Sequence, residues 1–267
     1  MREDLIATEN VTSRQPELSP ESGGTFVGGK EQYVRDMFSA IAPQYDRLNT
    51  ILSFNQDKSW RRLAVKMAQI KSGDVCLDVC TGTGDFAVEI ARVVGENGRV
   101  VASDFCEPMI RNGLAKTSSA PGGKIEMMVA NAEFLPYPSC SFHAVTVGFG
   151  IRNVAHIDRA VSELARVVKP GGRVVILEFN RPQNRLITPF VDFYLFQILP
   201  RIGGILSRKE AYKYLPESMK KFVSRQELAR IMTDSGLSGI TIKDLNFGTV
   251  CIHIGTKSAS VKAGQSA

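Results

Sequence analysis

Asp78, Gly82, Gly84 and Asp85 fall within one short stretch, LDVCTGTGDF at 77–86, where an apolar run gives way to two glycines and an acid. Glycines so placed let the backbone take positive φ and approach a ligand with no Cβ in the way. The chemistry this suggests is nucleotide binding. A dinucleotide turn, however, reads G-x-G-x-x-G and seats a pyrophosphate at a helix N-terminus. Here Ala87 takes the third glycine's place, and Asp85 sets an anion where phosphate would lie. No G-x-x-x-x-G-K-[ST] occurs in the chain, so the phosphate loop of NTPases is excluded as well. The charges call for a nucleoside without phosphates. S-adenosyl-L-methionine is one, and the carboxylates of Asp78 and Asp85 attract its cationic sulfonium. Asp104 ends the next apolar run, 20 residues after Gly84, where a carboxylate can accept hydrogen bonds from ribose hydroxyls. The competing reading is a glycine turn with solvated acids, and an NAD-dependent oxidoreductase ranks last for the phosphate reasons.

Such residues need a scaffold that gathers the ends of several strands. Apolar runs at 74–80, 99–105, 125–130, 142–149 and 173–179 read as strands, with helices at 85–94, 107–116 and 156–168 and a turn at KPGG (169–172). Near-continuous apolar strands alternating with helices indicate a parallel sheet covered on both faces. Two further runs, 239–245 and 249–255, are joined by Asn246, Phe247 and Gly248 and read as a hairpin. The expected fold is α/β, a doubly wound, mostly parallel, seven-stranded sheet. Helices at 31–42 and 57–70 precede it, the second with Trp60, Leu63, Ala64 and Met67 at helical spacing. A helical block at 187–222 precedes a helix over 224–236 that opens on a Ser224/Glu227 capping box and stops at Gly236. One domain over 30–255 results, with a helical cap (30–70), a helical insertion (187–222) and flexible tails at 1–29 and 256–267.

Composition bounds the remaining choices. A chain of 267 residues, 43% hydrophobic and 22% charged, is ordinary for a soluble globular protein. Cys76, Cys80, Cys106, Cys140 and Cys251 include no C-x-x-C pair; a reducing cytoplasm fits, and no metal site is expected. The acidic opening MREDLIATEN argues against a secretory signal. The apolar stretch LITPFVDFYLFQILP (186–200) falls short of the ~20 residues a spanning helix needs. Residues 200–230 hold eight Lys or Arg against Glu210, Glu217 and Glu227. This local excess reads either as a solvated helical face or as contact with an anionic membrane surface. No nucleic-acid-binding motif is present, so nucleic acid is not expected as a partner.

Over nearly all of 31–255 the chain resembles the ubiquinone/menaquinone biosynthesis C-methyltransferases, a branch of the Rossmann-like class I S-adenosylmethionine-dependent methyltransferases. The matching segments are FSAIAPQYDRLNTILSFNQDKSWRR (38–62), LDVCTGTGD (77–85), NAEFLPYPSCSF (131–142), FGIRNV (149–154), RVVKPGGRVVILEF (166–179) and EAYKYLPESMKKF (210–222). YDRLN with WRR, and FGIRNV, carry the quinone branch. The resemblance implies methyl transfer from S-adenosyl-L-methionine to a ring carbon of a polyprenylated quinol. It also implies that Thr83, Asp104 and the pair Asn131–Ala132 bind the cofactor, the pair along the adenine. Some members carry Ser where this chain has Gly148, so a hydroxyl contact from that position is absent. His143 stands where Asp is usual and reads as a structural strand residue.

A ring carbon becomes nucleophilic when a neighbouring hydroxyl loses its proton, and the developing phenolate then needs donors or a cation. The candidates are Arg152 for the phenolate, with a proton relay through water, Asn153 to orient the ring oxygens, and Tyr45 to close the site. Asp46 is a further catalytic candidate, or a helix cap, and His156 is an acid–base option that opens a surface helix. A prenylated substrate dissolved in a membrane implies peripheral contact of this cytoplasmic protein with the inner membrane surface. The stretch 189–209 is the expected lid or tail-binding wall. The segment SRKEAYKYLPESMKKF looks more like members acting on demethylmenaquinone, although naphthoquinol and benzoquinol are not separable on these residues. Other readings are a sterol or phenolic methyltransferase and a non-catalytic S-adenosylmethionine-binding scaffold. The oligomeric state is open, a homodimer included.

Overall fold

The computed structural model describes residues 29–258 apart from 183, 185, 195, 196 and 198–208. The expected tails lie outside the described residues except at their inner ends: helix α1 begins at Gly29, and the last strand continues to Lys257, beyond the expected end at 255.

Three helices, α1 (Gly29–Ile41), α2 (Tyr45–Leu52) and α3 (Asp57–Met67), form the cap. The second was not foreseen. It is a separate helix because Pro43 starts a 3-10 turn over Ala42–Gln44, where its fixed φ suits a first turn and its missing N–H costs nothing. The sheet then builds up through β1 (Val75–Val79), α4 (Asp85–Val94), β2 (Arg99–Asp104), α5 (Glu107–Ser118), β3 (Lys124–Val129), β4 (Phe142–Gly148), α6 (Ile157–Val167) and β5 (Val168–Phe179). After α7 (Thr188–Phe193), α8 (Lys209–Lys221) and α9 (Arg225–Asp234) come β6 (Leu237–Leu245) and β7 (Val250–Lys257).

The strand order is β3-β2-β1-β4-β5-β7-β6. Strands β1 to β5 pair in parallel, and β7 runs antiparallel between β5 and β6. This is the seven-stranded doubly wound sheet expected. Side-chain alternation along the strands builds a core on each face. Val175 and Leu177 of β5 join Trp60, Phe86 and Ile90 on one face. Val174 and Ile176 join Leu77, Val147, Leu164 and Leu228 on the other.

The KPGG turn expected before β5 is instead part of that strand. Pairing with β4 steps from Phe142↔Val168 to Ala144↔Arg173, so the segment bulges without breaking the ladder. Gly172 fits there because a Cβ would lie 2.6 Å from the His143 carbonyl oxygen. His143 is structural as expected: its Nδ1 accepts from the Val75 N–H at 2.9 Å, and its Nε2 lies 2.8 Å from Lys169 Nζ. The Ser224 hydroxyl accepts from the Glu227 N–H at 3.1 Å, forming half of the predicted capping box. Of 189–209, residues 195, 196 and 198–208 lie outside the described residues. The described part, α7, exposes Phe190 and Phe193, while Tyr194 packs on the Ile41 and Leu48 cluster of the cap.

Candidate active site

Strand order reverses between β1 and β4, and ligands of open α/β sheets bind at such a switch point, beyond the strands' C-terminal ends. Both strands end in a tight bend here. Cys80 after β1 has φ 54° and Phe149 after β4 has φ 58°, a left-handed conformation that costs a non-glycine residue on the order of 1–3 kcal/mol. Gly150 permits the two bends to nest, since a Cβ there would sit 2.3 Å from Cys80 Cβ.

A cavity of about 650 Å³ opens between these loops and the cap. Asp104, Gly82, Asn131, Ala132, Gly148, Asn153 and Tyr45 all line it, so seven strand-end and cap positions anticipated from sequence converge here. Asp104 accepts the Gly82 N–H at 2.8 Å on one oxygen and the Cys106 N–H at 2.9 Å on the other. Burial raises its pKa to about 6, against those backbone donors. Asn131 donates to Glu31 of α1 at 3.0 Å, which ties the cap to the loop after β3. Gly82, at φ +59°, keeps the turn open: a Cβ would come within 3.3 Å of Met109 and 3.6 Å of Tyr45. Glu31, Asp104 and Glu133 line this cavity, and among the described residues no Lys or Arg does. That charge pattern suits a cationic, phosphate-free nucleoside, so the residues fit S-adenosyl-L-methionine, which Asp104, Asn131 and Ala132 could hold.

Five of the residues anticipated in the cap and the glycine turn line neither this cavity nor the one that adjoins it, and their contacts explain why. Asp78 is fully buried beneath the turn, where it accepts from the hydroxyls of Thr81 (2.5 Å) and Thr146 (2.6 Å). Burial lifts its pKa to about 7. Asp85, expected beside the sulfonium, is paired instead with Lys116 at 2.5 Å and Arg61 at 3.7 Å. The Thr83 hydroxyl donates to Asp46 Oδ1, and Lys116 bridges Asp46 Oδ2 (2.8 Å) and Thr83 (3.0 Å). Thr83 and Asp46 thus clasp cap to turn. Gly84 caps α4 with φ 87°; a Cβ there would meet Thr117 Cγ2 at 2.6 Å.

A second cavity of about 930 Å³ adjoins the first, sharing Phe38, Tyr45 and Phe149 as a common wall. It is lined mainly by aromatic and aliphatic side chains, with Arg61 and Arg152 among them. Arg152 is buried; its Nη1 donates to Glu178 Oε1 and to the Phe149 carbonyl, each at 2.6 Å, and its Nε donates to the Ser218 hydroxyl at 3.3 Å. Burial pushes the Glu178 pKa up, while Arg152 opposes that shift. Arg61 holds Asp57 at 2.5 Å. Burial acts to raise the Asp57 pKa, and Arg61 with Ser53 more than offsets it, holding the carboxyl below its ordinary range. Asn153, which lines the first cavity, accepts at 3.1 Å from the hydroxyl of Tyr214, which lines the second. Burial raises the Tyr45 pKa, with the charges of Arg152 and Arg61 pulling the other way.

Sequence reasoning missed Glu178, Asp57, Arg61 and Tyr214. A signal existed for three of them: Glu178 is a lone charge in the apolar run RVVILEF, and Asp57 with Arg61 has helical i, i+4 spacing. His156 opens α6, half bound to Glu133 at 2.9 Å and 61% exposed, outside both cavities.

The model of the ubiE/COQ5 methyltransferase family matches residues 27–257. The chain is 45% identical over 229 residues to the ubiquinone/menaquinone biosynthesis C-methyltransferase UbiE of Geobacter sulfurreducens, covering 85% of this chain and 90% of that protein. It is 36% identical to the protein of the same name from Pseudomonas putida, covering 85% and 90%. Among solved structures it is similar to an S-adenosylmethionine-dependent methyltransferase from Thermotoga maritima (TM-score 0.60, 18% identity, 84% of this chain and 99% of that one). It is also similar to the [4+2]-cyclase SpnF (TM-score 0.63, 15% identity, 86% and 96%). Likeness at that identity concerns the fold alone. The chain belongs to the ubiE/COQ5 methyltransferase family.

Proposed function

We propose that this member of the ubiE/COQ5 family methylates a ring carbon of a polyprenylated quinol in quinone biosynthesis, with demethylmenaquinol as substrate and menaquinol as product. It is an S-adenosyl-L-methionine-dependent methyltransferase, and the bound cofactor supplies an electrophilic methyl group on a cationic sulfur. The observation that carries the reading is the adjacency of two unlike cavities: an acid-lined one and an aromatic one holding arginines, with Tyr45 and Phe149 between them. The relatives' printed name supports the quinone assignment, and it covers both the menaquinone and the ubiquinone step.

The chain's own residues then have definable work. Arg152 faces the second cavity from a rigid mount of Glu178, Phe149 and Ser218, so it meets a developing phenolate without reorganising. A guanidinium stays protonated in proteins, so Arg152 serves as a donor and cation and not as the base in the proton relay considered above. Asn153, held by Tyr214, lines the first cavity and offers its amide from the cofactor side of the shared wall. Tyr45 and Phe149 form the boundary across which the methyl group passes, and their bulk excludes water there. Phe190 and Phe193, exposed on α7, support contact with the membrane face from which a prenylated quinol is drawn; no helix among the described residues is long and apolar enough to cross a membrane.

Incubation with methyl-labelled S-adenosyl-L-methionine and either reduced demethylmenaquinone or the corresponding benzoquinol tests the proposal. Label in the naphthoquinol ring is the expected result. Label only in the benzoquinol moves the enzyme to the ubiquinone step, and label in neither, with cofactor still bound, favours a non-catalytic scaffold.

A further inference from the structure

Arg61 has no part in the chemistry assigned so far, yet it lies in the same cavity as Arg152. Its burial is nearly complete at 6% exposure. An arginine is retained in such a place only with partners for its charge, and Asp57 and Asp85 supply them. The two do not occupy all of it. Nη1 is bonded to Asp57, but Nη2 approaches Asp85 only to 3.7 Å, an ion-pair distance longer than a hydrogen bond. A guanidinium has five N–H donors in a planar fork, so donors remain on the side that lines the cavity.

The aromatic residues fix how this group relates to Arg152. Phe149 and Phe179 pack as one pair, centroids 4.6 Å apart and planes 37° apart. Arg61 Cζ lies 5.8 Å from the Phe149 ring centre, and Arg152 Cζ lies 5.4 Å from that of Phe179. Each guanidinium therefore sits over a different ring of one aromatic pair, each is backed by its own buried carboxylate, and both act electrostatically on the Tyr45 hydroxyl. A flat bicyclic or monocyclic quinol resting against this pair presents two oxygens on opposite ring carbons. One guanidinium at Arg152 serves only one of them.

We propose that Arg61 is a second oxygen anchor, binding the ring hydroxyl across from the one beside the acceptor carbon, and that it selects para-dioxygenated rings over simple phenols. The inference rests on the quinol reading given above. Its physical basis is that a buried donor built for a substrate oxygen is left unpaired by an analogue lacking that oxygen, so such analogues are rejected strongly, whereas apolar fit alone discriminates weakly. Asp57 is the positioning residue: it aims the fork and holds its charge, touching no substrate itself.

The test compares a short-tailed 1,4-naphthalenediol with the matching 1-naphthol, which keeps the hydroxyl beside the acceptor carbon and lacks the one opposite. In the unaltered protein kcat/KM for the diol should exceed that for the naphthol by on the order of 100-fold or more. In Arg61→Met, paired with Asp57→Asn so that no buried carboxylate is stranded, the ratio should fall to within about 5-fold, mostly through KM for the diol, with cofactor affinity unchanged. Arg61→Lys, which keeps Asp57 and the charge, gives the second reading should the double variant fail to fold. Losing the planar fork, it should lower the ratio at least about tenfold. An unchanged ratio in a variant that still binds cofactor overturns the anchor while leaving the quinol reading intact. Equal use of both rings by the unaltered protein does the same. Turnover of neither ring overturns both.

Discussion

The two cavities share a wall and oppose each other in character. The first is lined by three acids and two of the sheet's sharpest bends; the second is lined by aromatic rings and two arginines, each tied to a buried carboxylate. A ligand bearing positive charge is drawn to one, and a ring developing negative charge to the other. The division follows from where the chain places its elements. Loops at strand ends supply most of the first cavity, with Glu31, Phe38 and Tyr45 added by the cap, whereas the second is built mainly by the cap, with β5 and α8 completing it.

Variants can break this comparison, and the largest effect belongs to the second cavity. Arg152→Met should lower kcat for methyl transfer on the order of 10²–10³-fold, the scale of removing one preorganised donor from a developing oxyanion. Cofactor affinity should stay unchanged. The substitution also strands the Glu178 carboxylate, which costs about 3–5 kcal/mol, so the rate is best read beside a thermal melt and in a companion carrying Glu178→Gln. Loss of cofactor binding in a folded variant would mean that the cavities are not separate in function.

Asp104→Asn should do the reverse. Cofactor Kd should rise on the order of 10–100-fold, as for loss of hydrogen bonds to a charged group, with quinol KM spared at saturating cofactor. Calorimetric titration with S-adenosylhomocysteine reads it. The same residue sets a pH dependence. Its pKa is raised by burial to about 6, and a ligand that needs the carboxylate ionised competes with the proton. Affinity should therefore be full above about pH 6 and weaken by up to about tenfold per unit below it, a slope that Asp104→Asn removes.

Asp78 gives a smaller effect on stability. Its carboxyl prefers to be protonated in the fold, with a pKa near 7 against the ordinary 3.8. A group raised in this way contributes stability that is complete at low pH and lost as pH climbs from about 4 through about 7. Denaturant titrations at pH 5 and 8 should show that loss beyond what Asp78→Asn shows. Smallest is Gly148→Ser. Its Cβ would meet Phe86 Cδ1 at 2.7 Å, an overpacking cost of about 1–3 kcal/mol, which Phe86→Leu should relieve. This contact gives a local reason for glycine where some family members carry serine.

The fold was largely legible because strand runs and helical spacing are local. Gly82 and Asp104 could be placed for the same reason, since each follows or ends a strand, whereas Asn131 and Ala132, which also line the first cavity, came only from the family resemblance. The misplacements concern pairing at a distance. Asp85 looked free to face a cation until Arg61 and Lys116, 24 and 31 residues away by sequence, took its charge. Thr83, a cofactor candidate by family resemblance alone, bonds instead to Asp46, which lies in the first turn of α2 and does not cap it, since Gln44 is the N-cap. KPGG has turn composition, yet the neighbouring β4 ladder carries it as a bulge. The pairing of Arg152 with Glu178 was hidden because a lone acid in a strand reveals its partner only when the sheet has closed.

The most direct test of the two-cavity division is a structure with S-adenosylhomocysteine and a short-tailed menaquinol bound together. The nucleoside should lie along Asp104, Asn131 and Ala132, and the ring against Phe149 and Phe179 with Arg152 on one oxygen. A ring found outside the Arg152 cavity, or a nucleoside that bypasses Asp104, would contradict it.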